Sequence, residues 1–322
     1  MHPRPTFATL RAAHDRIRPF VHRTPILTCS SIDALAGASV FFKCENFQKT
    51  GAFKFRGATN AVRSLSDHEA ACGVVTHSSG NHAAALALAA RVRGILAHIV
   101  MPHTAPAVKK AAVEGYGGLI TFCDPDQASR EAAATAVIRA TGGTLVHPYN
   151  DHRVIAGQGT AALELLEDVP DLDAVLAPVG GGGLLSGTAI AVFGHRPAAR
   201  VIGCEPALAD DAAQSLRERR IVPPRKPATI ADGLLTGLGD LTYPILRDLV
   251  ETIELVEEAE IVAALRLILE RMKIVVEPSA AVPLAVLLNR PLGLAGARVG
   301  IILSGGNVDV TRLPFSTTNI SR

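Results

Sequence analysis

The sequence predicts an α/β fold with two lobes, each built on an open, parallel, twisted sheet with helices on both faces. Short apolar runs rich in β-branched residues alternate with longer segments of helical pattern, and this alternation is typical of parallel sheets covered by helices. The length of 322 residues suits two domains of about 100–200 residues each, with one large domain as the alternative. With 48% hydrophobic residues, the chain can bury a large core without disulfides or a structural metal.

Strands are predicted where short β-branched or apolar runs lie between turn residues. From the N-terminus they are Ser39–Lys43, Gly73–His77, His98–Met101, Gly118–Phe122, Thr144–Val146, Ala174–Pro178, Val201–Glu205, Thr252–Val256 and Val299–Leu303. Helices are predicted where alanine-rich or amphipathic segments continue for several turns. They are Ala58–Ser64, His82–Arg91, Pro106–Glu114, Ala128–Ala140, Gly157–Glu167, Leu184–Val192, Glu257–Lys273 and Ala280–Leu288. Ligands of such folds bind beyond the carboxyl ends of the strands, so the segments after the strands are the candidates for a site.

Neither a membrane span nor a nucleic-acid surface is expected. The most apolar long stretch, Ala83–Met101, contains Arg91, Arg93 and His98, whereas a lipid-spanning helix needs about 20 residues with few charges or none. Lys and Arg number 32 against 30 Asp and Glu, aromatic residues make up 4% and tryptophan is absent, so base stacking and phosphate contacts have little support. The basic run Arg217–Arg220 is interpreted as a solvated helix face.

Cysteine usage and the N-terminal residues predict a cytoplasmic protein. The five cysteines are odd in number and none of them forms a Cys-x-x-Cys pair, which favours reduced thiols over disulfides or a zinc site. The chain does not start with the unbroken apolar segment that is typical of secretory signals. The segment Val222–Pro227 is expected to be a surface loop, and the polar tail after Leu313 is expected to be loosely held.

Four consecutive glycines, Gly180–Gly183, follow the strand predicted at Ala174–Pro178 and precede a helix. Glycines let the backbone turn tightly and direct several N–H groups to one point, and the helix adds the positive end of its dipole. This loop is therefore a candidate phosphate site, with an ordinary turn as the alternative. Neither a Walker motif nor a G-x-G-x-x-G pattern is completed here. A dinucleotide nevertheless has one argument, because Glu205 lies 22 residues after Gly183, where a ribose-binding acid would lie.

Lys54 is flanked by Phe53 and Phe55 in a segment that precedes a predicted helix. Apolar neighbours disfavour an ammonium ion, which lowers the pKa of a lysine and leaves a neutral amine able to attack an aldehyde. Lys54 is thus a candidate for a Schiff base, a role for which Lys49 lacks the setting. The alternative is that both lysines are solvated, as lysines near a helix start usually are.

Two further segments place small polar groups at the ends of strands. The segment Thr76–His82 ends one strand and opens an alanine-rich helix, a setting that suits a carboxylate. An ordinary N-cap by Ser79 or Asn81 is the alternative, but it explains one such residue and not several polar side chains together. The segment Leu303–Asn307 follows another apolar strand and places the Ser304 hydroxyl at its end.

Together these four segments resemble the fold-type II pyridoxal-phosphate enzymes, a tryptophan synthase β-like fold, and in particular serine racemase and the catabolic serine/threonine dehydratases. The similarity continues through most of the chain, at Thr24-Pro25, Phe41, Lys43, Glu45, Thr104–Pro106, Ala156–Thr160, Glu205-Pro206, Ile230–Gly233 and Ser304–Asp309. It implies a large cofactor-binding domain of residues 1–72 and 151–322, a small domain of residues 73–150 and no C-terminal regulatory domain. It also implies a homodimer.

The resemblance implies a role for each segment. Lys54 is expected to carry pyridoxal 5′-phosphate, with Phe53 beside the ring, Asn81 on the phenolic oxygen and Ser304 at the pyridine nitrogen. The cofactor phosphate is expected on Gly180, Gly181, Gly182 and Gly183. A hydroxyl at the pyridine nitrogen leaves it largely neutral, which favours loss of a β-hydroxyl over transamination. The substrate is expected to contact Ser78, Ser79, Asn81, His82, Arg130 and Thr236, and in the racemase the residue matching Ser79 carries a proton opposite the lysine.

The similarity further implies a divalent-cation site at Glu205, Asp211 and the carbonyl of Ala209, which replaces the ribose interpretation of Glu205. These are hard oxygen donors suited to Mg²⁺, Mn²⁺ or Ca²⁺, and a surface acid pair is the alternative. The sequence departs from the racemase at Ala83-Ala84, where the racemase has Gly-Gln; that Gln belongs to its nucleotide site, so the nucleotide site is expected to be impaired here. Other parts of that nucleotide site are matched by Ser30, Ser31, Lys49, Thr50, Tyr116 and Asn307.

The function expected from the sequence is dehydration and deamination of a small β-hydroxy amino acid to a 2-keto acid and ammonia. Serine, threonine, hydroxyaspartate and phenylserine are the candidate substrates. The freed amine of Lys54 is expected to take the α-proton while the cofactor accepts the electrons. Racemisation of serine, with a proton returned by Ser79, is the alternative, and a nucleotide- or nicotinamide-binding protein is a more distant one.

Overall fold

A computed structural model describes residues 4–225 and 228–315 of the chain, which form ten strands and thirteen α-helices. The strands are β1 (Ile26–Leu27), β2 (Ser39–Cys44), β3 (Val74–His77), β4 (Ala97–Pro102), β5 (Leu119–Cys123), β6 (Thr144–Leu145), β7 (Ala174–Pro178), β8 (Arg200–Pro206), β9 (Thr252–Val256) and β10 (Arg298–Leu303). The helices are α1 (Phe7–Ile17), α2 (Ser30–Ala36), α3 (Lys54–Arg63), α4 (Asp67–Ala71), α5 (Asn81–Arg93), α6 (Ala107–Gly115), α7 (Gln127–Thr141), α8 (His152–Asp168), α9 (Gly183–His195), α10 (Asp211–Glu218), α11 (Thr242–Leu249), α12 (Glu258–Leu267) and α13 (Pro278–Asn289).

Two sheets organise these elements and confirm the α/β class. The larger sheet has the strand order β1-β2-β10-β7-β8-β9, and the smaller sheet has the order β5-β4-β3-β6. All neighbouring strands are parallel except β1, which pairs antiparallel with β2 and was not expected from the sequence. Every strand of the smaller sheet comes from residues 74–145. The division into a large and a small domain stays a prediction.

All nine predicted strands are present, two of them (Ala174–Pro178 and Thr252–Val256) with the predicted ends, and each predicted helix corresponds to an observed one with shifted ends. Helix α8 starts at His152 rather than Gly157, because Asp151 caps it by accepting hydrogen bonds from the main-chain N–H groups of Arg153 and Val154. The segment Glu257–Lys273 is not one α-helix, since α12 ends at Leu267 and a π-helical turn follows. Short elements were missed because their apolar faces are too short for a clear periodicity; these are β1, α2, α4, α10 and α11. Helix α1, of 11 residues, was missed as well.

Helix α8 is the central element of the larger sheet's helical layer. It packs against α3 on one side and α9 on the other, and all three helices are largely buried. Both crossings depend on glycine: a Cβ added to Gly157 would lie 2.6 Å from the Cα of Gly57, and one added to Gly187 would lie 2.7 Å from the Cα of Gly159. No other residue type allows backbones to approach this closely. The starts of α3 and α9 are therefore held at a short, fixed separation.

Several smaller expectations can be compared with the structure. All five cysteines are free thiols, and Arg217–Arg220 is an exposed stretch at the end of α10. In the described ranges no helix is long and apolar enough to cross a membrane. Part of the predicted surface loop Val222–Pro227, namely Lys226 and Pro227, and most of the tail after Leu313, namely residues 316–322, lie outside the described residues.

Candidate active site

Three of the four segments identified in the sequence are joined directly, and the glycine loop packs against Tyr149, next to the Pro148 carbonyl that accepts from Lys54. The loop before α3 is joined to the loop after β10 by a bridge between Ala52 and Gly305 and by a hydrogen bond from the Phe53 N–H to the Ser304 carbonyl at 3.0 Å. Asn307, in the same loop after β10, donates to Asn81 Oδ1 at 3.0 Å, at the start of α5. Because β3 and β10 belong to different sheets, the site is formed by loops from both sheets.

Lys54 is the first residue of α3, and its amine is fixed inside the site by a hydrogen bond. Its Nζ donates a hydrogen bond to the carbonyl of Pro148 at 2.9 Å and lies 5.1 Å from the centre of the Phe53 ring. Burial lowers the pKa of Lys54 to about 8, and the opposite influence of the Glu277 carboxylate only partly offsets this. The lowered pKa agrees in direction with the expectation from the sequence, and a neutral amine is accessible near neutral pH. The other flanking ring, Phe55, lies instead near Lys49, whose Nζ is 5.8 Å from its centre. A Schiff base at Lys54 stays a prediction.

The glycine loop, Gly180–Gly183, connects β7 to α9 and is fully buried. Gly182 has φ +84° and caps α9 without a side chain, so the first N–H groups of this helix lack a side-chain partner. A Cβ on Gly181 would enter the ring of Tyr149, and one on Gly183 would lie 3.0 Å from the Cβ of Tyr149. The loop thus has glycine where side chains cannot fit and presents main-chain donors, as an anion site requires.

A buried carboxylate that the sequence analysis missed lies beside these loops. Glu277 is 3% exposed and accepts from Asn81 Nδ2 at 3.0 and 3.1 Å. Burial raises the pKa of Glu277 to about 7, although the hydrogen bond from Asn81 favours its ionised form. Its backbone N–H donates to the Gly305 carbonyl at 3.0 Å. Asn81 is therefore fixed between Glu277 and Asn307 and cannot turn freely.

Three aromatic side chains of the site, His77, His147 and Tyr149, pack against one another. The rings of His77 and His147 are edge-to-face with centres 5.4 Å apart, and those of His147 and Tyr149 are edge-to-face at 4.6 Å. Burial lowers the pKa of His147 to about 4, so its ring is neutral at physiological pH. Its Nδ1 accepts from the main-chain N–H of Asn150 at 2.9 Å, which places the ring proton on Nε2. His147 can therefore act as a neutral hydrogen-bond donor.

The residues predicted to contact the substrate lie at different depths. Ser78 and Ser79 are partly exposed at the end of β3, whereas His82 is 2% exposed inside α5, with Nε2 3.2 Å from the Val146 carbonyl. Arg130 lies in α7, where it donates to the carbonyls of Pro125 and Asp126, and its charge contributes to the lowered pKa of His77 after burial. Thr236 is exposed in the loop before α11.

Strand β8 starts at Arg200, and the predicted cation ligands lie at its other, C-terminal end. Glu205 accepts from the N–H groups of Ala212 and Ala213 at 2.9 Å each, and Asp211 Oδ2 is buried without a hydrogen-bond partner. Burial, with mutual repulsion, raises the pKa of Glu205 to about 9, and burial raises that of Asp211 to about 6. The described part of the chain contains no cluster of three or more metal-binding side chains; the predicted site needs two such side chains and the carbonyl of Ala209.

Sequence signals for the missed residues existed. His147, Pro148 and Tyr149 directly follow a predicted strand, so the rule that ligands bind at the carboxyl ends of strands applied to them as well. Glu277 precedes Pro278, the first residue of α13, and an acid before a helix-starting proline is a common cap. No sequence pattern indicated that the Glu277 carboxylate accepts a hydrogen bond from Asn81, which lies 196 positions away in the chain.

Comparisons with known proteins find a matching family model and similar relatives along nearly the whole chain. The family model described as pyridoxal-phosphate dependent enzyme matches residues 17–305. The β-hydroxyaspartate dehydratase of Paracoccus denitrificans (strain Pd 1222) is 54% identical over 312 residues, covering 97% of this chain and 99% of that protein. The structure of maize serine racemase has a TM-score of 0.94 and 48% identity, covering 96% of this chain and 95% of that one. The structure of a T.th. threonine deaminase has a TM-score of 0.90 and 44% identity, covering 97% of this chain and 100% of that one.

The buried imidazole of His82 gives a pH-dependent prediction. Burial lowers its pKa from 6.5 to about 3, so between these values the unfolded chain binds a proton that the folded chain excludes. The free energy of unfolding should therefore fall as the pH drops below 6.5, by up to about 1.4 kcal/mol per pH unit for this group. In urea unfolding, the stability advantage of the wild type over His82→Gln should shrink as the pH is lowered. If the difference in unfolding free energy between the wild type and His82→Gln stays constant with pH, the lowered pKa of His82 is contradicted.

Proposed function

The chain belongs to the pyridoxal-phosphate-dependent enzyme family, and from this premise we propose that it dehydrates and deaminates a small β-hydroxy amino acid to a 2-keto acid and ammonia. The observation that carries the proposal is the buried amine of Lys54, whose pKa is lowered to about 8 beside a glycine loop with free main-chain donors. The likeness to proteins named β-hydroxyaspartate dehydratase and threonine deaminase supports the reaction type. Serine, threonine and hydroxyaspartate are the substrates to test first.

The residues present fit pyridoxal phosphate. Gly181 and Gly183 pack so closely against Tyr149 that no side chain fits there, and the uncapped start of α9 supplies main-chain N–H donors for a phosphate. The Ser304 side chain lies on the loop that also fixes the start of α3, and it would face the ring nitrogen. When bound, the cofactor supplies an electron sink for the bonds at the substrate α-carbon.

Lys54 is the group we propose to move the α-proton. An amine with a pKa of about 8 is partly neutral at pH 7 to 8, so its Nζ can accept a proton in this range. The Pro148 carbonyl at 2.9 Å directs the amine and limits its freedom. Asn81 and its neighbours Ser78 and Ser79 are proposed to bind the substrate carboxylate, because the start of α5 offers main-chain N–H groups and the positive end of a helix dipole.

A divalent cation at Glu205, Asp211 and the Ala209 carbonyl is part of the proposal. The raised pKa values of both carboxylates and the unpartnered Oδ2 of Asp211 are what two buried acids show when no positive group faces them. A bound Mg²⁺, Mn²⁺ or Ca²⁺ would supply that charge through oxygen ligands. The same region holds the loop of Thr236, since a Cβ on Gly237 would lie 3.3 Å from Asp211 Oδ2.

Removing the amine tests the main proposal. Wild-type enzyme reconstituted with pyridoxal phosphate should be yellow and should release keto acid from one or more of L-serine, L-threonine and β-hydroxyaspartate. Lys54→Ala should lose the visible band and reduce the rate by about 10²–10⁴-fold or more, because it removes both the covalent anchor and the base. Lys110→Ala, at the surface of α6, serves as the matched control and should keep both. A colourless wild-type protein would refute the proposal.

Racemisation is the second candidate, and the likeness to serine racemase structures supports it. It requires a proton donor on the face opposite Lys54, and Ser79 at the end of β3 is the proposed donor. With L-serine as substrate, Ser79→Ala should lower D-serine formation at least about tenfold while keto acid is still formed. Ser79→Thr keeps the hydroxyl and should retain part of the D-serine activity. Full D-serine formation by Ser79→Ala would show that another group returns the proton.

The cation site gives a stability prediction. Mg²⁺ or Ca²⁺ at about 100 times its dissociation constant should raise the unfolding free energy of the wild type by about 2.7 kcal/mol. Asp211→Asn should abolish this increase, because it removes the carboxylate that lacks a partner. Asp171→Asn, whose exposed carboxylate pairs with Arg298, should respond to the ion as the wild type does. Equal ion-dependent shifts in all three proteins, measured by thermal melts with and without chelator, would contradict the site.

A further inference from the structure

We propose that Arg56 is a positioning residue that sets the distance between Lys54 and the glycine loop without touching either the substrate or the cofactor. It acts through a buried ion-pair network formed by Lys43, Glu45, Arg56 and Glu164, and through the contacts of α8 with α3 and α9. The inference rests on the proposed function, in which Lys54 and the glycine loop hold the two ends of pyridoxal phosphate.

The guanidinium of Arg56 is fully buried and fully partnered. It meets Glu45 in a two-point contact, Nε to Oε2 at 2.7 Å and Nη2 to Oε1 at 2.8 Å. It meets Glu164 in a second two-point contact, with Nη1 to Oε1 and Nη2 to Oε2 both at 2.8 Å. Planar forks of this kind fix orientation as well as distance. Arg56 is therefore clamped in place by two carboxylates.

Lys43 and Thr24 complete the network. Lys43 Nζ donates to Glu164 Oε2 at 2.6 Å and to the Thr24 carbonyl at 2.7 Å, and the Thr24 hydroxyl donates to Glu45 Oε1 at 2.5 Å. The four ionic side chains are between 0% and 3% exposed, and their charges balance. The network connects strand β2 and the turn after it to the first turn of α3 and to the middle of α8.

Stability alone does not account for such a cluster. Buried ion pairs give little net stability, because desolvation offsets the attraction, and apolar replacements of similar volume are often as stable. What the cluster does supply is direction, since each contact has one geometry. Arg56 lies two residues after Lys54 in the same helix, so a clamp on Arg56 also fixes the rotation and the axial position of Lys54.

The second half of the connection runs through α8. Glu164 and the two glycine contacts lie on this helix: Gly157 faces Gly57 of α3, and Gly159 faces Gly187 of α9. Helix α9 begins at Gly183, within the glycine loop. The position of Lys54 relative to the phosphate site is thus set by a rigid path from Arg56 to α8 to α9. The lowered pKa of Lys54, in contrast, follows from burial, which the Glu277 carboxylate only partly offsets.

A ligand held at both ends is sensitive to this distance. Once the phosphate is bound on the glycine loop, bond formation at Lys54 is an intramolecular event whose advantage depends on correct spacing. Pyridoxal, which lacks the phosphate, forms the same bond at Lys54 without that anchor. The ratio of the two dissociation constants therefore measures how well the two anchoring points match.

The test compares pyridoxal phosphate with pyridoxal on full-length enzyme freed of cofactor. The main variant is the double change Lys43→Met with Glu164→Gln, which removes one positive and one negative charge, so the remaining pair of Arg56 and Glu45 is balanced. The ratio of dissociation constants, pyridoxal over pyridoxal phosphate, should fall about tenfold or more. Visible titration gives both constants, and borohydride trapping with mass analysis confirms that Lys54 is the residue modified.

Two further variants keep the test decisive. Gly187→Ala moves α9 from the other side, because its Cβ would lie 2.5 Å from the Gly159 nitrogen, and it should lower the ratio as well. Leu284→Ala, in the core of α13, is the control for a general loss of stability and should leave the ratio unchanged. A ratio that is unchanged in the network variants, or that falls equally in Leu284→Ala, would overturn the positioning role. A wild type that forms no bond between Lys54 and pyridoxal phosphate would instead refute the proposed function.

Discussion

The separation between the amine of Lys54 and the glycine loop is the constraint on which the rest of the structure depends. Both groups stand at helix starts, at α3 and α9, and the long helix α8 lies between them. Glycine at Gly57 and Gly157 on one side, and at Gly159 and Gly187 on the other, allows the three backbones to touch. A helix interface formed by backbone contact deforms less under strain than one formed by flexible side chains. This makes the layer of three helices a suitable frame for a ligand anchored at two points.

Burial shifts the pKa of three titratable groups of the site in the direction that favours their neutral forms. It lowers the pKa of Lys54 to about 8 and that of His147 to about 4, and it raises that of Glu277 to about 7. Each shift favours the neutral form, because charges are costly where water is excluded. When the acids and bases of a site favour their neutral forms, protons can be transferred between them without creating isolated charges. That property suits a reaction in which one amine must bind, release and accept a proton in turn.

The Arg56 network shows the opposite solution within the same fold. Its four ionisable groups are also buried, and although burial lowers the pKa of Lys43, each group faces an opposite charge at hydrogen-bonding distance, which favours the ionised forms. A fixed set of ion pairs thus lies just outside the active site, whose own groups are shifted by burial towards their neutral forms. The two regions share helix α3, with Lys54 at its first position and Arg56 two residues later. The proposed reactive residue and the proposed positioning residue are separated by half a turn of one helix.

The sequence by itself determined the α/β class, the order of the major strands and helices, and the segments that carry Lys54, the glycine loop, Ser79 and Ser304. These follow from local periodicity and from residue types with specific backbone or chemical properties, which neighbouring residues are enough to express. Only the tertiary structure decided which distant groups meet these segments. Glu277 beside Asn81, the Pro148 carbonyl at Lys54, and Glu164 on Arg56, 108 positions away, are contacts across the fold. No local pattern encodes them, because they depend on how whole helices and sheets pack.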